Sequence, residues 1–249
     1  MKYIDRIHLS DLIPPIVSRI LAKAGLIQRT GDSENIFIHP SLRSYSQYQE
    51  DLIVDAILGS PKKGVYVDVG ASDHIVFSNT KRFYDRGWWG VNIEPNADLY
   101  GKLLCHRPRD INLNIGLGRN SGRSRFYELS HDTLSTFNQA AVLIAEKTYN
   151  AKILDSYEVQ METLNWVMEN HLVNLPISFL SVDVEGYEIE VLSGNDWVQF
   201  RPLVLLVEIN QNQDTLIEYI HDIGYQMLYM NYTNGIFIDQ NAVDSVDEQ

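Results

Sequence analysis

Cysteine is almost absent from this sequence: Cys105 is the one thiol in 249 residues. A disulfide framework within the chain is therefore excluded, and a redox or nucleophilic role for Cys105 lacks a placed partner. It reads as a reduced, partly buried thiol. Basic residues are also scarce, 20 Lys and Arg against 33 Asp and Glu, for a net charge of −13 and a pI near 4.9. That balance argues against nucleic acid as a partner, because phosphate backbones are bound through a basic footprint that is missing here. No apolar run approaches the roughly 20 residues that span a bilayer. The most apolar N-terminal stretch, Leu12 to Leu26, is interrupted by Pro14-Pro15, Arg19 and Lys23. It reads as an amphipathic helix rather than a signal peptide, of a kind that can make a peripheral contact with a membrane or a partner. The expected location is cytoplasmic. Internal repeats and low-complexity tracts are absent, and nothing sets an oligomeric state.

What is present is a chain of ordinary globular composition, 45% hydrophobic and 21% charged, long enough for one α/β domain with a short extension. Residues 1–40 form the extension. Pro14-Pro15 opens a helix that Gly25 stops, and Thr30-Gly31-Asp32-Ser33 signals a loop. Residues 41–249 form the main domain. Helical spacing over 49–58 is followed by a strand over Val65 to Val69, a helix over Asn79 to Arg86 and a strand over Trp88 to Glu94. Further strands are expected over Asp110 to Leu117, Ile177 to Val184 and Pro202 to Ile209. Helices are expected over Leu164 to His171, Tyr187 to Leu192 and Thr215 to Ile223. Continuous apolar runs such as Leu203 to Val207 suit strands covered on both faces. The chain then changes character. Tyr225 to Met230 and Ile236 to Asp239 read as a hairpin turning through Tyr232-Thr233-Asn234-Gly235. A mostly parallel sheet thus finishes in an antiparallel hairpin.

Ligands of such sheets bind beyond the carboxyl ends of the strands. The first strand runs into Asp68-Val69-Gly70-Ala71-Ser72-Asp73, with one glycine. A dinucleotide fingerprint needs three, G-x-G-x-x-G, and the two acids here would repel a pyrophosphate. They suit a phosphate-free, cationic ligand. Glu94, 24 residues after Gly70, ends the second strand, where a carboxylate can accept both hydroxyls of a ribose. This supports an adenosine ligand without separating NAD from other adenosine carriers. Asn114 is placed to approach adenine or ribose.

Six segments taken together resemble the FkbM-type methyltransferases. They are Ser46-Gln47-Tyr48-Gln49-Glu50-Asp51, Val67-Asp68-Val69-Gly70-Ala71, Ser78-Asn79-Thr80, Gly87 to Pro95, Leu134-Ser135-Thr136 and Asp183-Val184-Glu185-Gly186-Tyr187-Glu188. The resemblance spans about residues 43–230. It implies a class I methyltransferase fold, a Rossmann-like sheet of seven mostly parallel strands with the C-terminal antiparallel hairpin, preceded by the helical extension. It implies S-adenosylmethionine as methyl donor and O-methylation of a hydroxyl on a sugar, glycan or secondary metabolite. Carried over by position, Gln47, Asp51, Asp68, Gly70, Ala71, Ser72, Asn79, Glu94, Asn114 and Asp183 are the cofactor-binding candidates. Ser72 stands where many members have asparagine, so one cofactor hydrogen bond differs.

An alcohol acceptor must lose a proton during methyl transfer, which calls for a general base. The candidates are Asp183, Glu185, Glu208 and His131. Asp183 and Glu185 lie two apart at a strand end and can share one face. His74, beside the cofactor loop, is a weaker candidate. The three carboxylates are also of the type that holds Mg²⁺, a candidate second cofactor rather than a requirement. Tyr149, Tyr157 and Trp166 are candidates for a sugar-stacking wall, or else helix-packing residues. Two alternatives stay open: an NAD- or nucleotide-sugar-binding Rossmann-type enzyme, and a non-catalytic scaffold. The acceptor pocket is expected from residues 1–45 and 119–160, read as loops.

Overall fold

The protein is described here from a computed structural model covering residues 27–30, 33–36, 43–209 and 213–242. A hairpin of β1 (Ile27–Thr30) and β2 (Ser33–Ile36) brackets the loop expected at Thr30 to Ser33. The described part of the extension is therefore β-structure, not helix. The helix expected over 14–24, with the apolar stretch Leu12 to Leu26, lies outside the described residues.

From residue 50, strands and helices alternate: α1 (Glu50–Ile57), β3 (Val65–Val69), α2 (Lys81–Arg86), β4 (Trp89–Ile93), α3 (Ala97–His106) and β5 (Ile111–Leu113). An insertion follows, made of β6 (Gly116–Leu117), β7 (Gly122–Leu129), α4 (Gln139–Tyr149) and β8 (Ile153–Glu162). The alternation resumes with α5 (Leu164–His171), β9 (Phe179–Val182), α6 (Glu188–Leu192), β10 (Val204–Glu208) and α7 (Gln213–Asp222), and ends in β11 (Tyr225–Met230) and β12 (Asn234–Asp239). The main sheet has seven strands in the order β11-β12-β10-β9-β3-β4-β5. β12 runs antiparallel to both its neighbours, and the other pairs are parallel. This is the class I methyltransferase architecture expected from the sequence.

Side chains alternate across the sheet with period two. Val65, Val67, Val69, Leu180, Val182, Leu205 and Val207 face one core, covered by α5, α6 and α7 through Leu164, Val167, Val191, Leu216 and Ile220. Tyr66, Phe179, Val204 and Leu206 face the other, covered by Ile53 and Val54 of α1 and by Phe83 of α2. Burial on both faces is why these strands read as unbroken apolar runs.

Four expectations need correction. The strand expected over Asp110 to Leu117 breaks in two: β5 stays in the main sheet, while β6 leaves it to pair in parallel with β8 in a separate three-stranded sheet. The break lies at Asn114, whose side-chain amide donates to the carbonyls of Glu94 (2.8 Å) and Pro95 (3.0 Å) and turns the chain away. The stretch 119–160, read as loops, is largely the β7–β8 ribbon and α4, with a small core of Leu129, Val142, Ala145 and Ala151. Asn234-Gly235 belongs to β12 rather than to the hairpin turn. There the Asn231 side chain accepts from the amides of Thr233 and Asn234, tightening the turn at 231–233. Cys105 is exposed rather than partly buried. No described helix is long and apolar enough to cross a membrane.

Candidate active site

Strand register builds the site. Val69 of β3 lies opposite Ile93 of β4 and Val182 of β9, and Val182 lies opposite Val207 of β10. The next residue on each strand therefore falls in one row along the carboxyl edge: Glu94, Gly70, Asp183, Glu208. Asn234 extends the row, since it pairs with Glu208. With neighbouring strands about 4.8 Å apart, Glu94 and Glu208 stand about 14 Å from each other. A cleft of about 690 Å³ lies over this row, within the range of small-molecule sites.

Gly70 is the floor. Its φ of 79° is a left-handed conformation, and a Cβ there would overlap the backbone carbonyl of Asp183. Only glycine lets β3 and β9 close this tightly. Ser72 (φ 49°) and Glu185 (φ 54°) also hold left-handed backbone. Such strain in non-glycine residues gathers at functional sites.

Glu94 is buried at one end of the row. Its two carboxylate oxygens accept the backbone amides of Ser72 and Asn96, each at 2.8 Å. Burial lifts its pKa to about 7 despite those bonds. Asp68, also buried, accepts from the Thr80 hydroxyl at 2.7 Å, and burial raises it to about 6. Asn79 donates to Ser181 Oγ at 3.0 Å from the cleft wall.

The Asp183 to Glu188 segment divides its acids by position. Glu188, at the start of α6, folds back and accepts the amides of Val184 (3.2 Å) and Gly186 (3.0 Å). This shapes the loop and leaves Asp183 and Glu185 on the cleft, beside Glu208. A carboxylate oxygen from each of these three lies within 4.8 Å of the others. Burial first, then repulsion from neighbouring carboxylates, raises all three: Asp183, beside Glu188, to about 7, Glu185 to about 9, and Glu208 well above its ordinary value. Asp183 and Glu208 share a hydrogen bond that favours ionised Asp183 and protonated Glu208. Near neutral pH the cluster therefore holds protons and offers Asp183 as its readiest acceptor. The same set is chemically able to hold a hard cation.

The insertion supplies the roof. Thr136 Oγ1 donates toward the carbonyls of Glu185 (3.0 Å) and Val184 (3.3 Å), and Asn138 Nδ2 donates to the Gly186 carbonyl at 2.7 Å. These bonds tie the 131–138 segment to the acidic loop. His131 lines the cleft from this segment but is exposed and lies outside the carboxylate cluster.

Of the sequence candidates, Gln47, Asp68, Gly70, Ala71, Ser72, Asn79, Glu94, His131, Asp183, Glu185 and Glu208 all line the one cleft. Asp51 and Asn114 do not. The Asp51 carboxylate is occupied by Ser44 Oγ (2.6 Å) and the Tyr45 amide (2.9 Å), and Asn114 pins the Glu94-Pro95 backbone. His74 stacks on His106 with ring centroids 4.0 Å apart, away from the cleft. Tyr149 lines the cleft, whereas Tyr157 packs on Phe126 and Trp166 against the main core. The sequence reading missed Thr136 as a tether, Glu188 as a loop anchor, and Arg107. Arg107 is fully buried and donates to Ser78 Oγ (2.9 Å), the Tyr66 hydroxyl (3.2 Å) and the His74 carbonyl (3.3 Å), bracing the 74–80 segment.

Residues 68–232 match the Methyltransferase FkbM domain. The chain belongs to the FkbM methyltransferase family. The FkbM match runs from the Gly70 floor to the β11–β12 turn and takes in the whole carboxylate row. No curated protein sequence matches the chain. Among solved structures, methyltransferase FkbM from Methylobacillus flagellatus is similar at 14% identity and a TM-score of 0.46, over 71% of this chain and 44% of that one. This chain thus spans less than half of that protein's length. A TehB-like SAM-dependent methyltransferase from Corynebacterium glutamicum aligns at 7% identity and TM-score 0.37, over 76% and 86% of the two chains. The N-terminal domain of human METTL16 aligns at 9% and 0.44, over 95% and 97%.

Proposed function

We propose that this FkbM-family chain is an S-adenosylmethionine-dependent O-methyltransferase, with residues 41–249 as the catalytic domain, and that its acceptor is a hydroxyl of a sugar, glycan or secondary metabolite. One observation carries the reading: a buried carboxylate, Glu94, and a close-set cluster of three carboxylates stand on either side of a glycine floor. When bound, the donor supplies a methyl group already activated on a sulfonium. The cleft residues fit that ligand. Glu94 has acceptor capacity for a ribose diol, the bare Gly70 backbone leaves room for the methionine portion, and Asp68 with the Asp183 cluster favours positive charge.

The chain's own work is then positioning and proton removal. The Thr136 and Asn138 tethers fix the acidic loop. Asp183, poised near pH 7, takes the acceptor's hydroxyl proton, and protonated Glu208 hydrogen-bonds to it. His131, exposed on the cleft wall and outside the carboxylate cluster, is the weaker base candidate. The net charge of −13 favours a neutral acceptor over a nucleic acid.

The test is transfer of a labelled methyl group to a panel of hydroxylated acceptors. Asp183→Asn should lower kcat at saturating donor by at least about 10²-fold, since a general base contributes about 10²–10⁴-fold. An unchanged kcat removes Asp183 as base. A strong chelator should leave activity intact; loss that Mg²⁺ restores would assign the three carboxylates to a cation instead. No turnover with any acceptor, despite donor binding, would favour the scaffold alternative.

A further inference from the structure

The carboxylate row is longer than the donor reading needs. Glu94, Gly70 and Asp183 span its first half. Past Asp183 the cleft continues over Glu208 to Thr233, with Gln47 and Tyr48 lining it from the segment before α1. Apart from Gln47, which the family resemblance offers to the cofactor, nothing in the donor reading uses this end.

This end is built. Glu50 is fully buried. One of its oxygens accepts Asn231 Nδ2 (2.7 Å) and Asn234 Nδ2 (2.9 Å), and the other accepts the Tyr48 amide (2.8 Å). A single carboxylate therefore fastens the Gln47–Tyr48 turn to the β11–β12 turn, residues more than 180 positions apart in the chain. Gln49, between them, sits in left-handed backbone at φ 72°. The clamp brings two aromatic rings together beside the cleft, where Tyr48 lines the wall and Tyr232 stands just outside the lining, next to Thr233. Tyr48 and Tyr232 meet with centroids 6.2 Å apart and planes tilted by 57°. They are 40% and 75% exposed, so their faces are not spent on the core.

Resting on the donor reading above, we infer that Gln47, Tyr48, Glu208, Tyr232 and Thr233 form the acceptor subsite, and that it takes a hydroxylated ring with an apolar face, of the pyranoside class. The chemistry matches in two parts. Tyrosine faces stack on the C–H face of such a ring, a large contact at low entropic cost. Gln47, Thr233 and Glu208 offer both donors and acceptors to its hydroxyls. A ring stacked on these tyrosines reaches its hydroxyls toward Asp183, the neighbour of Glu208 in the row. A purely apolar acceptor would leave those polar groups unpaired, at a cost. A cationic amine is the other ligand that aromatic rings and acids attract. A lone ammonium would engage the acids but leave the donor groups of Gln47 and Thr233 without the acceptors that ring hydroxyls supply.

The test uses the full chain saturated with S-adenosylhomocysteine and saturation-transfer NMR. The probes are methyl α-glucopyranoside, methyl α-mannopyranoside and methyl α-rhamnopyranoside, with benzylamine and cyclohexanol as controls. The expected result is transfer to the ring protons of at least one pyranoside. It should fall at least threefold in both Tyr48→Ala and Tyr232→Ala, with S-adenosylhomocysteine affinity unchanged. Tyr232 is an exposed turn residue, so its variant keeps the fold and carries the test alone if Tyr48→Ala does not. No transfer to any pyranoside, undiminished transfer in Tyr232→Ala, or stronger transfer to benzylamine or cyclohexanol would overturn the subsite. Failure of the wild type to bind S-adenosylhomocysteine would instead overturn the donor reading and the subsite with it.

Discussion

The Glu94 carboxylate accepts the backbone amide of Ser72 at 2.8 Å, joining the end of β4 to the turn that leaves β3. A second amide, from Asn96, occupies its other oxygen. These bonds aim a buried acid into the cleft without quenching it, because each oxygen keeps a lone pair for a ligand hydroxyl.

That geometry sets a pH dependence for donor binding. Free Glu94 titrates near 7, and a diol that donates two hydrogen bonds favours the ionised form. Affinity for S-adenosylhomocysteine should therefore hold above pH 7 and weaken below it, approaching tenfold per pH unit. Calorimetry at pH 6, 7 and 8 checks this. In Glu94→Gln the step near pH 7 should shrink, and affinity should be low throughout.

The clustered carboxylates should cost the empty protein stability at alkaline pH. Glu185 has a folded pKa of about 9 against an ordinary 4.5. Between those values the folded state binds more protons than the unfolded state, so its stabilising contribution is complete below about 4.5 and is lost as pH rises toward 9. Glu185→Gln should raise Tm at pH 8.5 by a few degrees, about 2–4 °C for each kcal/mol relieved in a domain of this size. It should change Tm little at pH 5. Thermal scans at both values decide the matter; equal shifts at both would contradict the assignment.

Gly70→Ala tests the closure of β3 on β9. The added methyl meets the Asp183 carbonyl in a left-handed backbone conformation. The expected loss is about 1–3 kcal/mol of stability, since overpacking adds to backbone strain. Donor affinity should fall with it. Denaturant melts and calorimetry on the same sample give both quantities.

Much of the site was legible because strand ends are local features. An apolar run followed by an acid or glycine marks where a parallel strand stops, and register then aligns Glu94, Gly70, Asp183 and Glu208 without further information. What was illegible depends on contacts distant in sequence. Asp51 and Asn114 looked like ligand residues by position, yet both spend their polar atoms on nearby backbone and loop groups. Glu50 sits beside Asp51 in the same motif, and its partners lie at 231 and 234, beyond any local pattern. The insertion strands were hidden differently. Gly122 to Leu129 carries polar residues on both faces, because the ribbon is largely solvated and lacks the clean alternation of a half-buried strand. Two helices were missed despite a local signal. Asn96 and Asn138 are N-caps that accept the first amides of α3 and α4, and Pro95-Asn96 announced the first of them.

The Glu50 clamp gives a separate prediction. In Glu50→Gln one carboxylate oxygen becomes an amide donor facing a donor, either Tyr48 N or the two asparagine side chains. Leaving such buried groups unpaired costs about 1–3 kcal/mol. The effect should fall on acceptor KM and on Tm, while S-adenosylhomocysteine affinity stays within about twofold. A matching loss of donor affinity, seen by calorimetry, would show that the clamp serves the whole cleft.

The central claim is that the row from Glu94 to Asp183 holds a methyl donor. Isothermal titration of the full chain with S-adenosylhomocysteine, and in parallel with NAD⁺, tests it most directly. The account predicts saturable binding of S-adenosylhomocysteine, at least tenfold weaker in Glu94→Ala, and no binding of NAD⁺. Absence of S-adenosylhomocysteine binding at millimolar concentration, or full affinity in Glu94→Ala, would contradict it.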